Sequence, residues 1–335
     1  MKNKKKTALV VLWCIFTMLI GGVVGVLRYV YTNNDYGLKK PLVCDGFFSE
    51  WQSYIRDDVR LNETASVGSH DAGSYDMMPL AETQGHSIYD QLRGGVRYLD
   101  IRVTDKAGEL VIYHGPIRGQ KFSAVLSDIK KFMDEHPTEF LILNFQHLGK
   151  RVHFEVKTAI ENALDMTKAL NKTHFPDIGN ILWGDVRAAG VNFMVIWKYV
   201  DEAAETDYMY IRNRDYYSFY DRGYHKSYNM QRLIDHYQAY YDKYNGQGFF
   251  VLQAQRTGPT LLHKPSQLET AYKPLINKYI SDLKTSKNLD KTNIIMRDFV
   301  VSDMDNVRLI LQLNITKNLI KPDMLNAYTA MVEIS

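Results

Sequence analysis

Cysteine is nearly missing from this chain: 335 residues contain two, Cys14 and Cys44. Cys14 falls inside an uncharged N-terminal run, so Cys44 has no partner in the rest of the chain and a disulfide framework is excluded. A bias of charge is lacking too, with 41 Lys and Arg against 38 Asp and Glu, a net of +3. Residues 1–40 hold seven of the basic residues and a single acid, Asp35, which leaves 34 basic and 37 acidic residues, a net of −3, on the remainder. A body charged in this way has no general attraction to nucleic acid, and no nucleic-acid partner is expected. Long apolar runs are absent except for one, which excludes a polytopic membrane protein. What is present, 45% hydrophobic and 24% charged residues, is the balance of an ordinary globular core.

The one long run is Thr7 to Leu27, 21 residues without a charge, preceded by Lys4-Lys5-Lys6. As a helix rising 1.5 Å per residue it matches the roughly 30 Å hydrocarbon core of a bilayer. It is longer than the apolar stretch of a cleavable signal peptide, and Leu27-Arg28-Tyr29 is a poor cleavage site. The sequence therefore predicts a cytoplasmic tail at 1–6, a transmembrane signal anchor at 7–27 and a polar tether at 28–40. The body would lie on the extracytoplasmic side, or be secreted if the leader is cleaved.

Residues 41–335 read as one α/β domain. Strands are expected at Ser66–Gly68, Val96–Val103, Leu110–Tyr113, Phe140–Phe145, Val191–Trp197, Phe249–Gln253 and Asn293–Val300. Helical-period stretches fall near 87–93, 123–135, 154–169, 228–243, 268–285 and 303–319. The alternation argues for a parallel sheet, and seven strands in a body of this size favour a distorted TIM-type (β/α) barrel over an open sheet.

The polar residues at the strand ends carry the functional signal. The first strand is followed by Ser69-His70-Asp71 and the second carries Asp100-Ile101-Arg102. The third ends in Tyr113-His114-Gly115-Pro116, the fourth carries Asn144 and runs to Gln146-His147, the fifth ends in Trp197-Lys198-Tyr199, and the seventh contains Arg297-Asp298. In a parallel barrel these ends share one face. Two imidazoles, a guanidinium and several carboxylates suit in-line transfer at a phosphodiester: one imidazole takes a proton from a hydroxyl, the other gives one to the leaving oxygen, and a cation balances charge on the non-bridging oxygens. Each residue taken alone has an ordinary structural reading, a surface histidine or a salt-bridge arginine. It is their joint placement that points to chemistry.

Ser66-Val67-Gly68-Ser69-His70-Asp71-Ala72-Gly73-Ser74-Tyr75 resembles the opening of the catalytic X region of phosphatidylinositol-specific phospholipases C. Gly95 to Arg102, Tyr113-His114-Gly115-Pro116 and His136-Pro137-Thr138-Glu139 continue the likeness, and Trp183 to Arg187 with Arg297-Asp298-Phe299 resemble the bacterial members. The resemblance implies a distorted barrel that cleaves an inositol phospholipid, at a membrane surface and as a monomer, into diacylglycerol and an inositol (cyclic) phosphate. It implies His70 as general base, oriented by Asp298, and His114 as general acid, assisted by Asp71. Arg102 would neutralise the phosphate, with Asp100 in support. No metal or other cofactor is expected, because Arg102 stands where the calcium-dependent animal members carry an acid and Gln146 where they carry a glutamate. Among substrate-binding candidates, Lys198 falls near the position of an inositol-binding arginine, Gln146 and Asp100 line the mouth, and Tyr224 is taken from a region that also offers Asp221 and Tyr228. The tyrosine-rich stretch 208–241 would be either a sugar-stacking or interfacial rim, or helix packing. Two rival readings stay open: a metal-dependent barrel phosphodiesterase of the glycerophosphodiester or sphingomyelinase D type, and a non-catalytic lipid- or glycan-binding barrel.

Overall fold

The computed structural model describes residues 2–32, 37–149, 152–197, 206–211, 216–218, 229–258 and 263–334. Ten strands form one sheet: β1 (Ser66–Ser69), β2 (Val96–Lys106), β3 (Glu109–His114), β4 (Ile117–Lys121), β5 (Leu141–Leu148), β6 (Phe193–Trp197), β7 (Met209–Ile211), β8 (Tyr216–Ser218), β9 (Phe249–Gln253) and β10 (Ile294–Arg297). Eight of them follow the order β7-β6-β5-β2-β1-β10-β9-β8, every neighbouring pair parallel. The result is a curled parallel half-barrel, with β7 and β8 as its end strands among the described residues.

The strands on either side of the centre are buried on both faces. β1, β6, β9 and β10 have no exposed residue, which is why they read as continuous apolar runs and not as alternating ones. Helices cover the outside with one apolar stripe each. In Phe122–Glu135 the buried side chains are Phe122, Val125, Leu126, Ile129, Phe132 and Met133, recurring every three or four residues, and the helix stops at His136-Pro137. At the base of the sheet a buried Arg97 gives Glu139 bonds of 2.9 and 2.7 Å and donates to the carbonyls of Leu92, Phe48 and Ser49. The Arg97 of the Gly-Val-Arg-Tyr segment and the Glu139 of His-Pro-Thr-Glu thus hold the lower end of the barrel together and serve no mouth.

One expectation fails in an informative way. The strand carrying His114 is not a barrel strand. β3 runs antiparallel to β2, with Val103 opposite Ile112 and Lys106 opposite Glu109, and β4 pairs antiparallel with β3. Only Ala107 and Gly108 connect β2 to β3, both at positive φ, 55° and 85°. Two residues with that backbone make a tight hairpin turn and are far too few for a parallel crossover. The dipeptide Ala-Gly, in place of the usual Asn-Gly, hides the turn in the sequence.

The N-terminal helix spans Lys2–Tyr31, so the run 7–27 is helical. The transmembrane span expected there is not supported by the structure: among the described residues no helix is long and apolar enough to cross a membrane. The described side chains of this helix are Trp13 and those from Ile15 onward, which leaves Thr7–Leu12 and Cys14 of the expected span outside the description.

Candidate active site

β1 ends at Ser69, and the chain turns at once through His70 and Asp71. Asp71 sits at φ 43°, in the left-handed region, and Phe299, immediately after Asp298, at φ 46°. Aspartate tolerates that conformation, whereas a bulky phenylalanine does so only when its surroundings force it. Here the force is visible: Phe299 is 1% exposed and its N–H donates to Thr83 O at 2.7 Å. The two strained turns follow the neighbouring strands β1 and β10, whose register pairs Ser69 with Arg297. Each strand therefore delivers its next residue, His70 or Asp298, to the same level.

The two meet. His70 Nδ1 lies 2.6 Å from Asp298 Oδ1. On the other side of the ring, Arg102 Nη2 lies 3.0 Å from His70 Nε2. A guanidinium can only donate, so Nε2 accepts, and the ring proton sits on Nδ1 and is given to Asp298. Nε2 is thus a free base aimed at the mouth. Burial pushes the imidazole down to about 4, against the opposing pull of Asp71, and pushes the Asp298 carboxyl up to about 8, against His114, Arg102 and Arg297.

Arg102 comes from β2 with Asp100, two residues apart and so on one face of the strand. The register against β5 shifts between them, Asp100 facing Asn144 and Arg102 facing His147, and such an irregularity re-aims a side chain. Arg102 Nη2 binds Asp100 Oδ2 at 3.0 Å, and Arg102 Nε forms an ion pair with Asp71 Oδ1. Burial works to raise the Asp100 carboxyl, but Arg102 and the neighbouring histidines outweigh it and hold it below the ordinary carboxylate range. Asp71 Oδ2 lies 3.6 Å from His70 Nε2 and 3.7 Å from His114 Nε2, so one carboxylate oxygen stands between the two imidazoles. His114, carried in by the hairpin, donates from Nδ1 to the Ala81 carbonyl at 2.8 Å. That leaves its Nε2 facing Asp71, and its side chain, 28% exposed against 9% for His70, is the more open of the two.

Six of the residues expected from sequence are therefore brought together: His70, Asp71, Asp100, Arg102, His114 and Asp298. For Gln146 the structure describes the backbone, in β5, and not the side chain, and Lys198 and Tyr224, with Asp221 and Tyr228, lie outside the described residues. Of the tyrosine-rich stretch, Tyr237 and Tyr241 are helix packing, buried on Met230–Lys243, with Tyr241 stacked on Phe250 at 4.5 Å. Sequence reasoning missed Thr83 and Gln84. Thr83 Oγ1 donates toward the carbonyls of His70 and Asp71, and Gln84 Nε2 donates to His70 O at 2.8 Å and Arg297 O at 3.1 Å. They lock the two turns after β1 and β10 together, but nothing in the string Ala-Glu-Thr-Gln marks them.

His70, Asp71 and Asp100 present ligand atoms within 4.8 Å of one another, close enough to hold a cation. They do not fit one here, because Arg102 is already ion-paired to both carboxylates and puts a fixed positive charge where the ion would sit. A hollow of about 750 Å³ lined by Asn171, His174, Asp177 and Asp185 reaches Val191, just ahead of β6, at the opposite end of the strands from the imidazoles.

Residues 64–174 match the sequence family described as phosphatidylinositol-specific phospholipase C, X domain. A 1-phosphatidylinositol phosphodiesterase of Listeria monocytogenes is 34% identical over 157 residues, 43% of this chain and 46% of that protein. One from Staphylococcus aureus is 29% identical over 103 residues, 29% of this chain and 33% of that protein. The match thus spans less than half the length of these relatives. In three dimensions the likeness is wider: the structure of phosphatidylinositol-specific phospholipase C from Listeria monocytogenes superposes with a TM-score of 0.63 at 21% identity, covering 80% of this chain and 98% of that one.

Proposed function

We propose that the chain, whose residues 64–174 match the phosphatidylinositol-specific phospholipase C X domain, is a member of that family and a phosphodiesterase cleaving an inositol phospholipid by imidazole base and acid catalysis, with an arginine doing the work of a metal. The observation that carries this reading is the placement of both Nε2 atoms within 3.7 Å of one Asp71 oxygen, with Arg102 held on the same carboxylate. Asp298 first releases its own proton to solvent; His70 Nε2 then takes the proton of the inositol 2-hydroxyl, the Asp298 anion holds the imidazolium so formed, and the oxygen attacks the adjacent phosphorus. Arg102 moves its donors from the resting Nε2 contact to the non-bridging oxygens, and His114 protonates the departing glycerol oxygen. Both reacting groups belong to one headgroup, so orientation and proton transfer are the main contributions the protein must make. Diacylglycerol and a cyclic inositol phosphate are the products.

The test is a panel of phospholipid vesicles with phosphorylated products identified by mass spectrometry. Release of inositol phosphate is expected, and release only of glycerophosphate, or of a headgroup without phosphate, would overturn the reading. Turnover should be unaffected by EDTA, since Arg102 fills the place of the cation. A loss restored by calcium would favour a metal-dependent phosphodiesterase.

The uncharged run behind Lys4-Lys5-Lys6 supports a further element of the proposal, that residues 7–27 cross the membrane and the barrel acts, as a monomer, on lipid at the outer surface. Full-length protein should stay in the membrane pellet after a sodium carbonate wash. Its quantitative release would dispose of the anchor.

A further inference from the structure

We propose that residues 37–40, the end of the tether, act as a strut that positions the general acid. The inference rests on the phospholipase reading and concerns residues that reading does not use. From Gly37 the chain runs against the loop that follows β1. Lys39 Nζ pairs with Glu82 Oε1 at 2.5 Å. His86 Nε2 donates to the Lys40 carbonyl at 2.7 Å. Ser302, in the turn after Asp298, donates to the Leu38 carbonyl. Gly85 passes so close that a Cβ there would lie 2.1 Å from Leu38 O, a contact only glycine permits. Glu82 itself is buried, 4% exposed at its side chain, and burial raises its carboxyl while Lys39 opposes that rise.

What gives these contacts a function is the residue next to Glu82. Ala81 O is the acceptor that fixes the His114 ring through Nδ1. His114 sits on a hairpin arm, outside the parallel ladder, and the bond to Ala81 O is what holds its ring from the Nδ1 side. A histidine can deliver a proton to a particular oxygen only if its ring orientation and tautomer are fixed, and the bond made by the other nitrogen fixes both. The chain of contacts is continuous: Lys39 to Glu82, Glu82 to Ala81 by the backbone, Ala81 O to His114. On the far side of Glu82 the same loop carries Thr83 and Gln84, but those hold His70 by several bonds to its backbone and to Arg297 O, so the base does not depend on one contact as the acid does. The segment that ties the N-terminal helix to the barrel is thereby a positioning element for one of the two proton transfers.

The two transfers can be separated by the leaving group. A glycerol alkoxide must be protonated as it departs, whereas a nitrophenolate leaves without help. In full-length protein, Lys39→Ala should lower turnover of phosphatidylinositol vesicles about 10-fold, a part of what a general acid contributes, and change turnover of nitrophenyl inositol phosphate less than about 2-fold. Lys39→Arg, which can keep the pairing with Glu82, should restore the lipid rate. Gly85→Ala, which wedges the strut from the opposite side, should show the same selective loss. An equal fall on both substrates, or no fall on the lipid, would overturn the strut. If the unaltered protein turns over neither substrate, it is the phospholipase reading that fails, and the variants are not needed to show it.

Discussion

A His70→Ala variant is expected to lose about 10³- to 10⁴-fold in turnover of both phosphatidylinositol and nitrophenyl inositol phosphate. Every mechanism open to this site begins by taking a proton from the attacking hydroxyl, whatever group leaves. Nε2 of His70 is the lone pair that the geometry frees for it, because Arg102 can only donate to that nitrogen and Asp298 holds the other. The fold should tolerate the change. The carboxylate left behind is Asp298, which burial already favours in its neutral form, so no buried charge is stranded. His114→Ala is the contrasting variant: it should fall as far on the lipid and much less on the nitrophenyl ester. If His70→Ala kept the nitrophenyl rate, the base would have to be sought elsewhere, and the assignment of the two imidazoles would be reversed.

The second large effect belongs to Asp298. Asp298 rests neutral but can release its proton to solvent and balance the imidazolium, whereas asparagine keeps an oxygen for the Nδ1 proton and has no proton to release. Asp298→Asn should cost about 10²- to 10³-fold in turnover at neutral pH. Stability supplies an independent readout. The His70 value is lowered from 6.5 to about 4, so its contribution rises as pH increases through the interval from 4 to 6.5. The Asp298 value is raised from 3.8 to about 8, so its contribution falls as pH increases through the interval from 3.8 to 8. The two slopes cancel between about pH 4 and 6.5, and above that only the loss remains, up to about pH 8. The melting temperature of the unaltered protein should therefore fall between pH 6.5 and 8, and that of Asp298→Asn should fall less over the same window. Parallel curves for the two proteins would mean that Asp298 is not held in its protonated form.

Much of this site was legible in the sequence because its members stand beside strands that announce themselves. His70-Asp71, Asp100 and Arg102, and Arg297-Asp298 adjoin β-branched runs that bury both faces, and parallel topology alone sends such neighbours to one end. His114 was legible as a residue and misplaced as a position, since the Ala107-Gly108 turn lacks the usual hairpin residues and the run Leu110–Tyr113 reads like any barrel strand. Thr83, Gln84 and Glu82 were not legible at all. Thr83 and Gln84 act through side-chain bonds to backbone carbonyls and Glu82 through an ion pair with Lys39, and such pairings leave no periodicity. β7 and β8, three residues each, are too short to rise above the surrounding tyrosines. Arg97 and Glu139 teach the converse: two of the better family matches turn out to be the foundation of the barrel, where a buried ion pair with five further polar contacts fixes how β2 and β5 begin.

The hairpin has a consequence for how such an enzyme could diversify. On the proposed mechanism, proton removal is built into the staves of the barrel, while proton delivery hangs on a two-residue loop that insertions could lengthen without disturbing a single stave. Lineages could thus retune which alcohol departs, from glycerol of one lipid class to a bulkier glycan-bearing neighbour, and leave recognition of the sugar ring untouched.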